Sequence, residues 1–292
     1  MKTIPAIDWS QIDALIALAL KEDLGEAGDV TTDSVIPEEL ATDAVFLAKE
    51  DLICAGLPVA ERLFHTLDPS LRWEALVKEG EFCPKGTLMA KIHGSARMLL
   101  TGERTALNFL QRLCGVATAS KKYQDAAGNS CRILDTRKTT PGWRNLEKYA
   151  VAVGGAFNHR IGLYDRVMIK DNHRELAGLE GKGGIARSVE RARRKYPELE
   201  IEVEVDSLDE LAEAVSSGAE YILLDNMSDE MMTEAVKFVG GRARLEASGG
   251  ITLERIPSAA KTGVDFISVG ALTHSVKSCD ISMDIQLPGG RK

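Results

Sequence analysis

The chain of 292 residues lacks the features of several specialised protein classes. No apolar run approaches the roughly 18 residues of a membrane span, so we expect no membrane partner. The first residues, Met1-Lys2-Thr3-Ile4-Pro5-Ala6, show neither the apolar core nor the cleavage site of an export signal, which predicts a cytoplasmic location. Basic residues are in deficit, with 36 Lys and Arg against 44 Asp and Glu and a net charge of -8. Because nucleic-acid binding needs a basic surface, no nucleic-acid partner is expected.

Cysteine and histidine give little support to a metal centre. The five cysteines are odd in number and widely spaced, and they form no Cys-x-x-Cys pair. This pattern predicts reduced, mostly buried thiols. No His-x-x-x-His or similar spacing argues for zinc.

The first third of the chain mixes helices and strands. Helical spacing of apolar residues predicts a helix over about 7–20, and a second helix is expected over about 58–67. Short alternating runs at Ala44–Ala48 and Trp73–Val77 predict strands. We therefore expect an α+β domain over 1–115. A helical segment from Ala96 to Cys114 is expected to lead out of this domain toward the next one.

The pattern changes beyond residue 130, where short β-rich runs alternate with helical stretches. The last four runs are about 21 or 22 residues apart, the length of a minimal strand–helix–strand unit. This repetition predicts a parallel sheet or barrel over 116–275, with a tail of about 276–292 that is expected to pack back on the first domain. The runs are Cys131–Asp135, Arg166–Lys170, Ile201–Val205, Tyr221–Asp225, Arg244–Ser248 and Phe266–Gly270.

Each of these runs ends at or beside a polar or charged residue or a glycine, which for Ile201–Val205 means Glu204 and Asp206. In a parallel barrel the carboxyl ends of the strands share one face, and that face is the active site. An open doubly wound sheet would also place ligands at strand ends, but at a single crevice. Polar groups at every strand end favour the barrel.

Cations are concentrated on turns in the middle of the chain. Pro and Gly interrupt the segments Asp135–Arg144 and Gly154–Leu163, so these charges do not lie along one smooth helix face. In an acidic protein such a concentration indicates a pocket for a small anion with several charges. The cations are Arg137, Lys138, Arg144, His159, Arg160 and Lys170.

Two glycine-containing loops follow neighbouring strands. Ser248-Gly249-Gly250 and Val269-Gly270-Ala271 offer bare backbone amides of the kind that bind phosphate. Either loop alone could be no more than a tight turn. Because the two lie at adjacent strand ends, where many barrels bind phosphate, we favour a phosphate site.

Carboxylates end two of the strands. Glu204 and Asp225 would hold Mg2+ or accept hydrogen bonds from sugar hydroxyls, and buried salt bridges to Lys170 or Arg137 are the structural alternative. Glu202 should point the same way as Glu204, because strand side chains alternate with a period of two. Lys170 either binds an anion or forms a Schiff base, and the neighbouring cations favour anion binding.

Taken together, these segments resemble the quinolinate phosphoribosyltransferases, which are type II phosphoribosyltransferases. The matching motifs run nearly end to end and in order, which makes the resemblance specific. They are Gly28–Thr32, Gly102–Leu110, Asp135–Gly142, Asn158–Leu163, Ile169–His173, Glu202–Glu204, Leu224–Asn226, Ala247–Gly250 and Ser268–Gly270.

The resemblance implies an α/β fold with an N-terminal α+β sandwich domain and an incomplete, open α/β barrel. It implies a homodimer with shared active sites, or a higher oligomer. It also implies that quinolinate reacts with phosphoribosyl pyrophosphate and Mg2+ to give nicotinate mononucleotide, CO2 and pyrophosphate.

The resemblance also implies residue roles. Arg104 would act in the other subunit's site, and Arg137, His159, Arg160 and Lys170 would hold the quinolinate carboxylates. Lys138, Glu204 and Asp225 would serve the ribose, the pyrophosphate and Mg2+, which is held directly or through the substrate. The residues with the catalytic roles would be Lys138, Lys170, Glu204 and Asp225. Further substrate contacts would come from Thr136, Ser248, Gly249, Gly250, Val269, Gly270 and Ala271.

Two segments depart from the family pattern. Gly154-Gly155-Ala156-Phe157 stands where three consecutive glycines are common, and Glu180–Gly184 looks like a loop insertion. The alternatives are a molybdenum-transport-associated relative of unknown substrate, a Schiff-base aldolase using Lys170, and a non-catalytic sensor of phosphate ligands.

Overall fold

The computed structural model describes residues 4–286, which form two compact units. The first unit contains 4–121, 140–155 and 275–286, and the second contains 122–139 and 156–274. The boundary predicted from the sequence lies near 115 and leaves 140–155 in the second domain, whereas this segment lies in the first unit. The predicted returning tail is described as far as residue 286, and residues 287–292 lie outside the described residues.

The first unit is built around an antiparallel sheet. Its helices are α1 (Trp9–Leu24), α2 (Val30–Val35), α3 (Leu57–Leu67), α4 (Ala96–Ala127, which continues into the second unit) and α5 (Arg144–Val153). Its strands are β1 (Ala41–Ala48), β2 (Leu52–Ile53), β3 (Arg72–Ala75), β4 (Phe82–Cys83), β5 (Leu88–Ser95) and β12 (Ile281–Gln286). Within the described residues the main sheet has the order β12-β1-β5-β3, and β2 pairs with β4.

Aromatic side chains form the core of this unit. Phe46 on β1 lies 5.4 Å from Trp73 on β3 and 6.2 Å from Phe64 on α3, measured between ring centroids. Phe46 and Phe64 are fully buried, so α3 covers the sheet with its apolar face. All five cysteines are free and buried, as the sequence predicted.

A buried ion pair fixes the segment 140–155 within the first unit. Glu147 on α5 is completely buried and accepts hydrogen bonds from Arg112 on α4 at 2.7 and 3.2 Å. The same carboxylate accepts bonds from the backbone and hydroxyl of Thr140, both at 3.0 Å. A buried charge requires such partners, because it has left the solvation of water.

The second unit is built around a parallel sheet. Its strands are β6 (Arg132–Leu134), β7 (Val167–Ile169), β8 (Ile201–Val205), β9 (Tyr221–Asp225), β10 (Arg244–Ser248) and β11 (Phe266–Ser268). Its helices are α6 (Asp171–Gly178), α7 (Gly184–Lys195), α8 (Leu208–Ser216), α9 (Asp229–Val239), α10 (Ile256–Lys261) and α11 (Ala271–His274), with a 3-10 turn at Leu253–Arg255. Side-chain oxygens of Ser207 and Ser228 cap α8 and α9, which explains their sharp starts.

The order of the strands describes a barrel that does not close. In the described residues the sheet runs β6-β11-β10-β9-β8-β7, and every pair is parallel. The strands follow their chain order around the sheet, except that β6 and β7 do not pair. A single parallel bridge from Leu134 to Phe157 lies on the free side of β6. The fold class predicted from the sequence, with a small antiparallel domain and an open α/β barrel, is confirmed.

The helices of residues 4–286 are all too short or too polar to cross a membrane.

We expect Glu147→Ala to lower the free energy of unfolding by about 3 kcal/mol, because it leaves Arg112 without the carboxylate that its burial requires. Urea unfolding followed by circular dichroism measures this loss. Asp13→Ala is the control, since Asp13 pairs with Arg62 on the exposed surface and its loss should cost about 1 kcal/mol at most. Equal losses in the two variants would contradict the role given to the buried pair.

Candidate active site

A cavity of about 340 Å3 lies in the second unit, where the carboxyl ends of its strands meet. The lining combines strand-end residues with the two cation-bearing loops. Its residues are Thr136, Arg137, Lys138, His159, Arg160, Met168, Lys170, Leu223, Glu246, Ser248 and Ser268. Five of the six residues that the sequence grouped as a cation cluster therefore line one space, namely Arg137, Lys138, His159, Arg160 and Lys170.

Other predicted site residues lie outside this lining. Glu204, Asp225, Gly249, Gly250, Val269, Gly270 and Ala271 occupy the carboxyl ends of β8 to β11 or the loops that follow them. Arg104 is exposed on α4, in the first unit. Arg144 belongs to α5, also in the first unit, although the sequence analysis grouped it with the pocket cations.

Asp135 joins the two cation-bearing loops. It follows β6, is completely buried, and accepts hydrogen bonds from the His159 backbone at 2.8 Å and from Asn158 Nδ2 at 2.7 Å. A carboxylate that receives such bonds holds both donors firmly. Asp135 therefore positions the start of the His159-Arg160 segment beside the Thr136–Lys138 segment.

The floor of the cavity is a buried cluster of charged and polar groups. His159 Nε2 lies 3.1 Å from Glu202 on β8 and 3.3 Å from Glu246 on β10. Glu202 also pairs with Arg166 at 3.4 Å, and Glu246 accepts a short hydrogen bond from Ser268. Both carboxylates are almost inaccessible to solvent, so their charges must be balanced inside the protein.

The two carboxyl groups differ in their pKa values. Burial raises the pKa of Glu246, and the neighbouring Glu202 carboxylate raises it further. Burial also opposes ionisation of Glu202, but a hydrogen bond from His159 and the charge and hydrogen bond of Arg166 hold its pKa below the usual value. Glu202 is thus the charged partner of Arg166, and Glu246 is the carboxyl that more readily keeps a proton.

Whether the proton shared by His159 and Glu246 lies on the ring or on the carboxyl group depends on the tautomer of His159. Burial lowers the pKa of His159, but the nearby carboxyl groups of Glu202 and Glu246 outweigh this and raise it to about 9. However, the Arg160 backbone N–H donates to His159 Nδ1 at 2.7 Å, so Nδ1 has no room for a second proton. The geometry therefore favours a neutral ring with its hydrogen on Nε2, and the additional proton on Glu246.

The same geometry argues against a metal ion on this floor. One ligand atom from each of His159, Glu202 and Glu246 can be chosen so that all three lie within 4.8 Å of one another. A metal at Nε2 would displace the hydrogen to Nδ1, which already accepts the Arg160 amide. In addition, Glu202 is already neutralised by Arg166.

Two further carboxylates, Glu204 and Asp225, lie at the carboxyl ends of the strands rather than in the buried cluster. Glu204 makes a short ion pair with Lys170, the structural alternative that the sequence analysis left open. Asp225 ends β9 opposite Ser248 in the parallel register and accepts a hydrogen bond from Asn226 at 2.7 Å. These carboxylates lie on neighbouring strands beside the first glycine loop.

The first glycine loop depends on a residue without a side chain. Gly249 has φ +99°, and a Cβ there would lie 2.2 Å from Asn226 Oδ1. In the second loop a Cβ on Gly270 would meet Lys138 Cδ at 3.0 Å. The stem of Lys138 therefore lies against the second loop, which a bulkier residue would separate from it.

The departure from three consecutive glycines is harmless in the structure. Gly154 would place a Cβ 2.1 Å from the Ala117 carbonyl, and Gly155 has φ +105°, so both positions require glycine. Ala156 has no positive φ, which leaves alanine acceptable there.

Four lining residues were not predicted from the sequence, namely Glu246, Ser268, Met168 and Leu223. Glu246 carried a usable signal, because it lies inside a strand whose neighbours Leu245 and Ala247 are apolar. Strands of a parallel sheet are usually apolar throughout, so a glutamate within one calls for a reason. Met168 and Leu223 carried no such signal, since any buried strand contains residues of their kind.

Family models of known proteins match both the N-terminal and the C-terminal part of the chain. The family model "Quinolinate phosphoribosyl transferase, C-terminal domain" matches residues 116–284, and the corresponding N-terminal domain matches 29–114. A chloroplastic "nicotinate-nucleotide pyrophosphorylase [carboxylating]" from Arabidopsis thaliana is 44% identical over 96% of this chain and 84% of its own length. A probable protein of the same name from Bacillus subtilis is 42% identical over 95% of this chain and 94% of its own length.

A solved structure agrees with these matches. The nicotinate-nucleotide pyrophosphorylase from Francisella tularensis superposes with a TM-score of 0.91 and 38% identity, and covers 97% of this chain and 99% of its own. The chain belongs to the quinolinate phosphoribosyltransferase family.

We expect Asp135→Ala to lower the stability of the second unit by about 2 kcal/mol, because it leaves the buried His159 amide without an acceptor. Hydrogen exchange measured by mass spectrometry should show faster exchange in the peptide that contains His159. Asp171→Ala is the control, since exposed Asp171 accepts only a local bond from Asn172 among the bonds described. Unchanged exchange at His159 in Asp135→Ala would refute the positioning role of this carboxylate.

Proposed function

We propose that the protein transfers the phosphoribosyl group of phosphoribosyl pyrophosphate to quinolinate and releases CO2, giving nicotinate mononucleotide and pyrophosphate. The observation that carries this proposal is the gathering of four cations around one cavity of a protein whose net charge is -8. The proteins with which the chain shares its family are named for this reaction. The product supplies the synthesis of NAD.

The cation pair Arg137 and Arg160 supports binding of the quinolinate dianion. The two guanidinium groups line the same cavity. Burial lowers the pKa of Arg160, and the like charge of Arg137 lowers it further. The repulsion between these two positive charges is reduced when a bound dicarboxylate pairs with both of them. Lys170, which also lines the cavity, adds a third charge at the end of β7.

His159 contributes to this site chiefly through its neighbour. Its Nδ1 accepts the Arg160 amide and its Nε2 lies against Glu202 and Glu246, so both ring nitrogens are engaged. The ring therefore fixes the backbone of Arg160, while the Arg160 guanidinium itself donates a hydrogen bond to the Arg166 carbonyl at 3.2 Å. Direct binding of a quinolinate carboxylate by His159 stays a prediction.

Phosphoribosyl pyrophosphate fits the strand ends beside the dicarboxylate. The Ser248-Gly249-Gly250 and Val269-Gly270-Ala271 loops follow adjacent strands and would bind the 5-phosphate through backbone amides. Lys138 lies against Gly270 and would bind the pyrophosphate, with Thr136 beside it in the lining.

Glu204 and Asp225 suit a magnesium ion. They offer the hard oxygen donors that Mg2+ prefers, at the ends of neighbouring strands beside the first glycine loop. Because Lys170 already binds Glu204, the carboxylates would hold the ion together with oxygens of the pyrophosphate. When bound, Mg2+ would neutralise charge on the leaving group.

The chain's own groups account for the remaining chemistry. As the bond from the anomeric carbon to pyrophosphate breaks, negative charge grows on the leaving oxygen, where Lys138 stabilises it. The pyridine nitrogen takes the anomeric carbon and becomes positively charged. This positive nitrogen then accommodates the electron pair left by the departing CO2, so the protein needs no nucleophile.

Two alternatives are less well supported. An aldolase would need Lys170 as a free amine, but Lys170 is ion-paired with Glu204. The transport-associated relative is not favoured, since the family models and the relatives named above are those of quinolinate phosphoribosyltransferase. A cytoplasmic location stays a prediction, because the relative from Arabidopsis thaliana is chloroplastic.

The direct test is CO2 release from carboxyl-labelled quinolinate. We expect release only when phosphoribosyl pyrophosphate and Mg2+ are both present, with nicotinate mononucleotide formed in equal amount. Nicotinate in place of quinolinate is the control and should give no labelled CO2. Absence of release from folded protein would contradict the proposed function.

Arg104 supports a shared active site in a homodimer, or in a larger assembly of dimers. Its side chain is exposed on α4, within the motif Gly102–Leu110. We propose that it completes the dicarboxylate site of the other subunit, where its charge would join those of Arg137 and Arg160.

Mixing two variants that are each impaired in quinolinate binding tests whether the active site is shared between subunits. We expect Arg104→Ala and Lys170→Ala each to raise the KM for quinolinate strongly, and their mixture to regain part of the activity, because a heterodimer has one intact site. Arg62→Ala, which changes an exposed arginine of the first unit, should behave like the wild type when mixed. No recovery after confirmed subunit exchange would contradict a shared site.

A further inference from the structure

The proposed function leaves one proton unassigned, and the following inference rests on that function. When CO2 leaves, the ring carbon beside the nitrogen retains the electron pair of the broken bond. A proton must then reach that carbon to give nicotinate mononucleotide. The donor must lie at the cavity and must hold a proton at neutral pH.

The other candidate donors that line the cavity are committed elsewhere. Lys170 is ion-paired with Glu204. The hydrogen on His159 Nε2 faces carboxylates, and its Nδ1 is an acceptor. Lys138 lies against Gly270, beside the loop assigned to phosphate. Arginine does not give up its proton in a protein of this kind.

Glu246 remains, and its position suits the task. It lines the cavity and precedes Ser248 by two residues on β10, so the two side chains lie on the same face of the strand. Ser248 begins the loop assigned to the 5-phosphate. Glu246 therefore lies one layer deeper than the ribose phosphate, at the level of Leu223 in the parallel register.

The two oxygens of Glu246 have different environments. Oε1 accepts the hydroxyl hydrogen of Ser268. Oε2 is buried and makes no hydrogen bond within the described residues, although His159 Nε2 lies 3.3 Å away. A carboxyl with one oxygen fixed and the other without a partner suits a proton carried on Oε2.

The surrounding charges agree with a protonated Glu246. The titratable and charged groups around it are Glu202, His159 and, farther away, Arg166 and Cys131. Glu202 and Arg166 neutralise each other, and His159 is neutral in the tautomer that its hydrogen bonds favour. A second carboxylate would leave the buried cluster with an uncompensated negative charge.

We propose that Glu246 is the general acid that protonates the ring carbon after decarboxylation. The carbon–carbon bond to the carboxylate breaks, CO2 departs, and its electron pair stays on the ring carbon. The Glu246 O–H bond then breaks as a new C–H bond forms, and the carboxylate left behind takes a proton from water after the product leaves. No oxidant or reductant is required.

Glu246→Gln tests this assignment, because it keeps the shape of the side chain and removes the acidic proton. In a single turnover, pyrophosphate release should proceed at the wild-type rate while nicotinate mononucleotide forms about 100-fold more slowly. In an equal mixture of H2O and D2O, the hydrogen-to-deuterium ratio at the new C–H bond should differ from that of the wild type. The ratio changes because water replaces a carboxylic acid as donor.

Two further variants separate catalysis from structure. Glu246→Asp retains an acid and should restore part of the rate, whereas Ser268→Ala removes only the bond to Oε1 and should keep the wild-type isotope ratio. Equal rates and equal ratios in wild type and Glu246→Gln would overturn the proposal. The proposal would also be overturned if Glu246→Gln and Glu246→Asp both lost pyrophosphate release and CO2 release to the same extent, because that result would indicate a structural role. If the wild type itself releases no CO2, the proposed function is wrong, and this outcome is distinct from a failure of the Glu246 proposal alone.

Discussion

The site depends on holding several cations close together before any ligand arrives. Arg137, Lys138, Arg160 and Lys170 line one cavity, and like charges at such distances repel unless the protein fixes them. The chain does so with the buried carboxylate of Asp135 and the partly buried carboxylate of Glu204. Asp135 accepts the backbone of the His159 segment, and Glu204 holds Lys170. The same preorganisation that costs stability in the free protein would stabilise anionic substrates and a growing negative charge.

The open sheet explains why these groups can meet. Because β6 and β7 do not pair, the loops after β6 and before β7 carry the cation-bearing segments across the gap in the sheet. The strands that lie between β6 and β7 in the sheet order supply the glycine loops and the rim carboxylates. A closed barrel of the same strands would leave less space at this position for the segment from Asn158 to Arg160.

Much of this architecture could be predicted from the sequence. The bounds of β8, β9 and β10 agree with the runs seen in the sequence, because each is a short β-rich run separated from the next by a helical stretch. The cation cluster was visible because Pro and Gly mark its turns. Segment 140–155 was not assigned to the first unit, since its attachment depends on the pairing of Glu147 with Arg112, which are 35 residues apart. The roles of Glu246 and Ser268 were equally hidden, because they arise where separate strands meet. The contacts at both nitrogens of His159 were hidden for the same reason, because Glu202 is far from His159 in the sequence.

The most direct test of the central claim is a crystal structure of the protein with quinolinate bound. The account predicts both carboxylates of the ligand in the second-unit cavity, within hydrogen-bonding distance of Arg137, Arg160 or Lys170, and the ring nitrogen toward the Ser248-Gly249-Gly250 loop. Quinolinate bound elsewhere, or bound in this cavity with its carboxylates away from these cations, would contradict it.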